Sequence, residues 1–119
     1  MGKEESIAYQ KAFDFAVRIV WFYRFLCNEK EYVLAKQILR SGTAIGANVR
    51  EALHGQSRKD FIAKMFIALK EAGETEYWID LLLASETVNQ NDIDELMKAN
   101  KELIKILNSI ILTAKQNPK

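Results

Sequence analysis

Residues 39–51, LRSGTAIGANVRE, decide the fold of this chain. The flanking sequence on both sides is typical of helix, yet five of these thirteen residues are Gly, Ala or Ser. Gly42 and Gly46 are four residues apart, so they lie on one face of a helix. A glycine in a helix interior costs about 1 kcal/mol relative to alanine, and close approach of another backbone is the usual compensation. The stretch therefore predicts a tight helix–helix contact.

Strong hydrogen-bonding side chains accompany these small residues and occur again further along the chain. Buried polar groups need partners, so we predict a network that fixes helix register and partner choice. Asn100, in the apolar stripe of the last helix, is expected to act in the same way. The predicted packing and polar positions are Arg40, Gly42, Gly46, Asn48, Glu51, Asp60 and Glu71.

With 49% apolar and 28% charged residues, the composition is typical of a globular protein. The length predicts one domain over residues 1–119. One proline and five glycines provide little material for turns, which argues against an all-β fold. The net charge is only +1. A protein that binds phosphate backbones usually has a larger basic surplus, so any surface for nucleic acid must be local.

The chain has the features of a cytoplasmic protein. Cys27 is the only cysteine, which excludes an intrachain disulfide and favours a reducing compartment. The strongest apolar run, IVWFYRFLC at 19–27, contains Arg24 and is too short to span a bilayer. The first six residues, MGKEES, lack the apolar core of a signal peptide. We therefore expect no association with a membrane.

Hydrophobic periodicity predicts four helices and no strands. The first spans 5–27, the second 31–53 and the third 57–85, while the fourth begins at Asp92 and ends before a tail at 117–119. Short loops between long helices make neighbours antiparallel. The predicted fold is therefore an all-α, antiparallel up-down-up-down four-helix bundle.

Residues at the predicted helix ends have the chemistry of caps. Gly55 ends the second helix as a left-handed cap. Ser57 begins the third helix with Asp60 three residues later, and Asp92 begins the fourth with Glu95 three residues later. Both pairs resemble the capping box, in which two side chains satisfy free backbone N–H groups at a helix start.

Each predicted helix carries a stripe of residues at spacings of three and four. In the first helix the stripe places Phe15 and Phe22 on other faces. In the first helix the stripe is Phe13, Ala16, Val17, Val20 and Arg24, and in the second it is Leu34, Ile38, Ile45, Val49 and Leu53. In the third helix it is Phe61, Met65, Ala68, Leu69, Ala72, Ile79 and Leu82, and in the fourth it is Ile93, Leu96, Leu103, Leu107, Ile110 and Ala114.

The apolar content exceeds what one isolated bundle needs. Apolar side chains at 21–25 and 77–83 point around most of the first and third helices. A helix that is apolar on more than one face is usually buried on more than one face. We therefore predict a homo-oligomer, with a thick monomer core and a few exposed aromatic residues as the alternative.

Signals for catalysis or metal binding are weak. Glu51 and His54 form the Glu-x-x-His spacing of di-iron bundles, but His54 is the only histidine and that site needs a second such motif. Glu71 and Glu74 resemble an acid–base pair, but Lys70 lies four residues before Glu74, which favours an ion pair along the helix. The sequence predicts no enzyme, no metal and no cofactor.

Basic residues form two groups, one flanking the second loop and one along a face of the fourth helix. A solvated surface is the simplest interpretation of such groups, and contact with nucleic acid is the alternative. For such contact the loop group is preferred, because it is the denser one and projects from a bundle end. In chain order the candidates are Arg50, Arg58 and Lys59, then Lys98, Lys101 and Lys105.

Two runs resemble the bacterial 23S rRNA intervening-sequence protein family. They are QILRSGTAIGANVREA at 37–52 and SRKDFIAKMFIALKEAGETEYWIDLL at 57–82. The resemblance extends over nearly the whole chain in length and in the order of helices. Its most specific segments are Arg40-Ser41, Gly46-Ala47-Asn48, Asp60-Phe61 and Ala68-Leu69-Lys70-Glu71-Ala72.

The resemblance implies a cytoplasmic bacterial four-helix bundle that assembles as a homopentameric ring. Members of this family can be encoded inside inserts of large-subunit ribosomal RNA genes. A related branch comprises accessory proteins of diversity-generating retroelements, which associate with a reverse transcriptase and nucleic acid. The partner that the resemblance implies is RNA or an RNA-linked protein.

Together, the residues and the resemblance predict a non-enzymatic, homo-oligomeric bundle that acts as a binding or scaffold module. The main alternative is a protein-interaction adaptor that binds no nucleic acid. An accessory subunit of a reverse transcriptase and a small carboxylate–metal enzyme are the other two alternatives.

Overall fold

A computed structural model describes residues 2–116 and contains four α-helices with no strand in that range. They are α1 (Lys3–Asn28), α2 (Tyr32–Leu53), α3 (Arg58–Ala84) and α4 (Gln90–Gln116). The predicted helices are confirmed, with ends that differ by two residues or fewer. The predicted tail at 117–119 lies outside the described residues.

The four helices pack side by side around a square. Each helix contacts the next one in sequence, and α1 closes the square against α4. Across residues 2–116 the backbones of the diagonal pairs α1–α3 and α2–α4 nowhere approach each other within 8 Å between Cα atoms. The resulting rod measures 49 × 19 × 19 Å. This packing and the short loops agree with the predicted up-down-up-down bundle.

The starts of α3 and α4 are capped by side chains, in α4 by a pair other than the one predicted. The Ser57 hydroxyl accepts a hydrogen bond from the Asp60 backbone N–H at 3.0 Å, as predicted for the start of α3. The start of α4 was predicted wrongly, because Asn89 and Asp92 exchange the two capping hydrogen bonds at 3.0 and 3.1 Å. Asp92 is therefore the third helical residue, and Glu95 has no part in this cap.

The left-handed residues at helix ends are not glycines. The prediction for Gly55 was wrong, because none of the described glycines has a positive φ. Gly55 instead lies close under Asp60, whose carboxylate would be 2.8 Å from an added Cβ. Lys30 (φ 65°) and Glu86 (φ 61°) take the left-handed conformation just beyond α1 and α3. There the chain turns through hydrogen bonds that satisfy the last helical carbonyls.

The core confirms the predicted stripe of the last helix and contradicts that of the first. All six predicted apolar positions of α4 are buried. In α1, however, Phe13 is 50% exposed, Arg24 is exposed as well, and the rest of the stripe is only partly buried. Alanines occupy two of the core positions, and their small apolar area made the larger residues of the outer stripe dominate the pattern. The side chains of α1 that face the core are Ala8, Ala12, Phe15, Ile19, Phe22 and Leu26.

Three polar residues are fully inside this apolar core. Ser41 and Thr75 join α2 to α3 through their hydroxyls at 2.8 Å, and Thr75 also reaches the Glu71 carbonyl at 2.8 Å. Asn100, as predicted, lies in the stripe of α4, where its Nδ2 donates to the Ala72 carbonyl at 3.0 Å. These hydrogen bonds fix the register of α2, α3 and α4 along the bundle axis, because a shift along that axis would leave the buried polar groups unpaired.

Candidate functional site

The two glycines of α2 face α1. A Cβ added at Gly42 would lie 2.7 Å from two side-chain carbons of Ile19, so the isoleucine occupies the space that a larger residue would need. At Gly46 the nearest atom to an added Cβ is the Ala12 carbonyl oxygen at 3.4 Å, which is an ordinary contact. The close approach predicted from the two glycines is therefore present, and the partner helix is α1.

The polar residues predicted for the same stretch face a different helix, α3. The Arg40 guanidinium reaches Glu71 at 3.3 Å and also binds Glu74. Trp78 Nε1 donates to the same Glu74 carboxylate at 3.1 Å. The predicted ion pair of Glu74 with Lys70 is thus replaced by a bridge between helices. Donation by Arg40, and secondarily by Trp78, lowers the pKa of the Glu74 carboxyl below its ordinary value.

The other predicted polar positions serve separate local contacts. Lys64 Nζ lies 3.1 Å from Glu51 Oε1 and forms a second ion pair between α2 and α3. Asn48 donates to the Ala44 carbonyl of its own helix at 2.8 Å. Asp60 lies at the start of α3, where its backbone N–H is capped. The predicted positions are therefore distributed over several contacts, and no single cavity brings all of them together.

The lysines of α4 share a groove with basic residues of α1. Lys98, Lys101 and Lys105 line this α1–α4 groove together with Lys11 and Arg18, over about 760 Å³. Its five cations outnumber the three carboxylates of Asp14, Glu95 and Glu102. The groove is thus a local basic surface on a chain whose total charge is close to zero.

Ion pairs neutralise only some of the basic side chains in the α1–α4 groove. Lys11 Nζ lies 3.3 Å from Glu102 Oε2, and Lys98 Nζ lies 3.7 Å from Asp94. Arg18, Lys101 and Lys105 are exposed and form no ion pair within residues 2–116. These last three side chains are free to contact an external anion.

The basic residues at the second loop do not come together in the same way. Arg50 lines a groove with Tyr9 and Phe13 on the α1–α2 side. Arg58 lies over a separate cavity at the bundle end and donates to the Ala114 carbonyl at 3.3 Å. This hydrogen bond from the Arg58 guanidinium therefore joins the start of α3 to the end of α4. Of the predicted loop group, Arg50 and Lys59 remain exposed.

Sequence analysis missed the contribution of α1 to the basic groove. Lys11 and Arg18 are seven residues apart, so they lie on one helical face two turns apart. Neither residue lies in a run of basic residues, so the pair does not appear as a cluster in the sequence. Their i, i+7 spacing is the signal that a search for basic faces across all helices would have found.

Large apolar side chains are exposed mainly on outer faces of α1 and α3, with a few more on α2 and α4. On α1 the outward stripe includes Phe13, and on α3 Phe66 and Tyr77 share a face with Gly73. Because α1 and α3 are diagonal neighbours, these faces lie at opposite corners of the rod. The exposed large hydrophobic residues are Ile7, Phe13, Trp21, Phe25, Tyr32, Val33, Phe66, Ile67, Tyr77 and Leu112.

Other features of the described residues carry no site. His54, the second residue of the Glu-x-x-His spacing, is exposed at the end of α2. Residues 2–116 contain no group of three or more His, Cys, Asp or Glu side chains that could hold a metal ion. Within the same residues, no helix has the length and apolar character needed to cross a bilayer.

Comparison with known proteins places the chain in a family. No curated protein matches it. A solved structure from Bacteroides thetaiotaomicron, described as a protein of unknown function from the S23 ribosomal protein family, is 50% identical with a TM-score of 0.87. That similarity covers 91% of this chain and 97% of the other. The family model for the 23S rRNA-intervening sequence protein matches residues 4–109. This chain therefore belongs to the 23S rRNA-intervening sequence protein family.

Proposed function

We propose that this protein is a non-enzymatic, self-associating helical-bundle scaffold that binds RNA through the α1–α4 groove. The observation that carries the proposal is the convergence of Lys11 and Arg18 on the lysines of α4. Cations on two facing helices can contact the phosphates of one strand from both sides, whereas a single row on one helix contacts it from one side only. The lone Cys27 is consistent with a cytoplasmic setting.

Charge supports a modest, local contact with RNA. With a net charge of +1 the chain lacks the general basic surplus that drives non-specific binding. The three unpaired cations of the groove, Arg18, Lys101 and Lys105, therefore supply most of the attraction. The description of the family links it to ribosomal RNA genes, which makes RNA the preferred nucleic acid.

Self-association is supported by the two outward apolar faces. One two-fold contact would bury only one of them, whereas head-to-tail contact between the α1 face and the α3 face buries both and generates a ring when the rotation between protomers closes. Gly73 adds a second argument, because it costs α3 about 1 kcal/mol while an added Cβ would meet nothing within 4 Å in its own chain. A neighbouring protomer that packs closely at Gly73 would compensate for that cost. A homopentamer is the ring size that the family resemblance favours.

The experiment for RNA binding compares charge reversals on the two basic groups. Arg18→Glu, Lys101→Glu and Lys105→Glu together are expected to abolish binding of a labelled RNA at about 50 mM salt, where phosphate contacts are strong. The control reverses Arg50 and Lys59, which the structure places outside the groove. It is expected to reduce affinity only slightly, and circular dichroism checks that both variants stay folded.

Different outcomes separate the candidate functions. Loss of binding in the Arg50 and Lys59 variant alone would move the contact to the second loop. Complete absence of RNA binding by the unmodified chain would overturn the RNA proposal. The protein-interaction adaptor, which the exposed aromatic faces favour, would then lead. Binding only in the presence of a reverse transcriptase would indicate the accessory-subunit alternative.

Light scattering tests self-association independently of RNA. The chain has a mass of 13.7 kDa, and the expected particle has several times that mass. Phe13→Glu, which places a charge on the outward face of α1, is expected to reduce the particle to the monomer without unfolding it. A monomer at micromolar concentration for the unmodified chain would contradict the scaffold proposal.

A further inference from the structure

The α1–α4 groove continues into an exposed aromatic surface. Beyond Arg18 and Glu95 lies a second depression of about 280 Å³, which those two residues also line. Trp21 and Phe25 form its aromatic wall. A ligand that follows the lysines along α4 therefore reaches the tryptophan without leaving the surface.

Trp21 presents its ring to solvent rather than to the core. The residue is 61% exposed, although indole is among the largest apolar side chains. Phe25 is also exposed, and its ring stacks on the buried Phe22 with centroids 5.9 Å apart. The anchored Phe25 ring and the nearby Trp21 ring thus form an aromatic platform beside the basic groove.

The distribution of charge separates the two halves of this surface. Three lysines of α4 lie at the basic end, whereas Asp92 and Glu95 border the aromatic end. Carboxylates repel phosphates, but they accept hydrogen bonds from the exocyclic amino groups of bases. Lys105 and Asp92 are about 20 Å apart along α4 at 1.5 Å per residue, so backbone and bases can be bound at different ends.

We propose that the α1–α4 groove binds single-stranded RNA, with its phosphates along the lysines and a base stacked on Trp21. This inference rests on the proposed RNA binding and specifies the form of the RNA. A basic groove with aromatic side chains on which bases stack is the usual combination for single strands. A duplex keeps its base faces inside the helix, so it can use the lysines but not the aromatic platform.

The first experiment compares two forms of one RNA sequence. A labelled strand of about 12 nucleotides, within the usual range for such sites, is titrated alone and as a duplex with its complement. The single strand is expected to bind about tenfold more tightly, since base stacking contributes about 1–3 kcal/mol and tenfold corresponds to 1.4 kcal/mol. Equal affinity for the two forms would overturn the single-strand inference and leave RNA binding intact.

Variants at position 21 distinguish stacking from general apolar contact. Trp21→Leu keeps an apolar side chain without a π-face and is expected to weaken single-strand binding about tenfold. Trp21→Phe keeps a ring and is expected to retain most of the affinity. Tyr32→Ala removes a similarly exposed aromatic residue on α2, 54% exposed and outside the groove, and is the matched control. Equal effects of Trp21→Leu and Tyr32→Ala would overturn the stacking role.

Fluorescence gives a readout that does not depend on weakening the site. Trp78→Phe leaves Trp21 as the only tryptophan of the chain, which has two. Saturation with the single strand is expected to quench the Trp21 emission, and saturation with the duplex is expected to leave it unchanged. Unquenched Trp21 at saturation with single strand would overturn the inference, while absence of binding by any RNA would overturn the proposed function as well.

Discussion

Ile19 of α1 fills the space above Gly42 of α2, so closely that an added Cβ would lie 2.7 Å from both Cγ1 and Cδ1 of the isoleucine. Ile19 is itself fully buried and β-branched, so it has little freedom to move away. Gly42→Ala is therefore expected to lower the free energy of unfolding by about 1–3 kcal/mol through overpacking. Chemical denaturation of the variant measures this loss, and an unchanged midpoint would show that α1 shifts to make room.

Gly46 is expected to respond in the opposite direction. Its nearest neighbour would be 3.4 Å from an added Cβ, an ordinary contact. Gly46→Ala should therefore stabilise the chain by up to about 1 kcal/mol, the helix-propensity difference between the residues. Gly46→Leu should destabilise it by about 1–3 kcal/mol, because the larger side chain forces α1 away. If both glycines respond alike in the same denaturation assay, then the packing difference between them is wrong.

The left-handed residues beyond α1 and α3 offer two sites for stabilisation. Lys30 and Glu86 hold positive φ angles that cost residues with a Cβ about 1–2 kcal/mol. Glycine relieves this strain but adds freedom to the unfolded chain. Lys30→Gly and Glu86→Gly are each expected to stabilise the chain by about 0.5 kcal/mol. Lys30→Ala and Glu86→Ala, which keep the Cβ, are the matched controls and should change the unfolding midpoint little.

The bridge from Arg40 to Glu74 predicts a pH-dependent contribution to stability. The pKa of the Glu74 carboxyl is lowered in the folded chain by Arg40 and Trp78. The contribution is therefore complete above the unfolded-state pKa of about 4.3 and is lost as pH falls through the lower folded-state pKa. Because Arg40 and Glu74 are 51% and 38% exposed, we expect less than about 1 kcal/mol.

Glu74→Gln tests that pH dependence. As the pH falls below the unfolded-state pKa of about 4.3, the unmodified chain should lose more stability than the variant. Thermal melting at a series of pH values gives the comparison, and added salt should reduce the difference because the pair is exposed. Parallel pH profiles for the two proteins would mean that Arg40 does not stabilise the ionised Glu74.

Helix periodicity and small-residue spacing were sufficient to predict the four helices and the glycine contact. They failed for the stripe of α1, because Ala8 and Ala12 contribute little hydrophobic signal although both are fully buried. Phe13 gives a strong signal from an outer face. Local amphipathicity identifies a core face only where a single face is apolar.

Pairings between helices were harder to predict than the helices themselves. The choice of Arg40 rather than Lys70 as the partner of Glu74 depends on how α2 meets α3, and local spacing contains no such information. The same is true of the α1–α4 groove, whose cations come from segments about ninety residues apart, as the Lys11–Glu102 pair shows. At the start of α4, two acceptors near one helix end, Asn89 and Asp92, made the position of the cap ambiguous.

The closing contact between α1 and α4 has a consequence for folding. The other three helix contacts join neighbours in sequence, so they close short loops, whereas α1 and α4 meet only across nearly the full chain. Local contacts form quickly, and long-range closure adds an entropic cost. Because this seam forms the floor of the α1–α4 groove, a strand bound along it would contact the first and last helices together. Such a ligand should slow hydrogen exchange in α1 and α4 more than in α2 and α3.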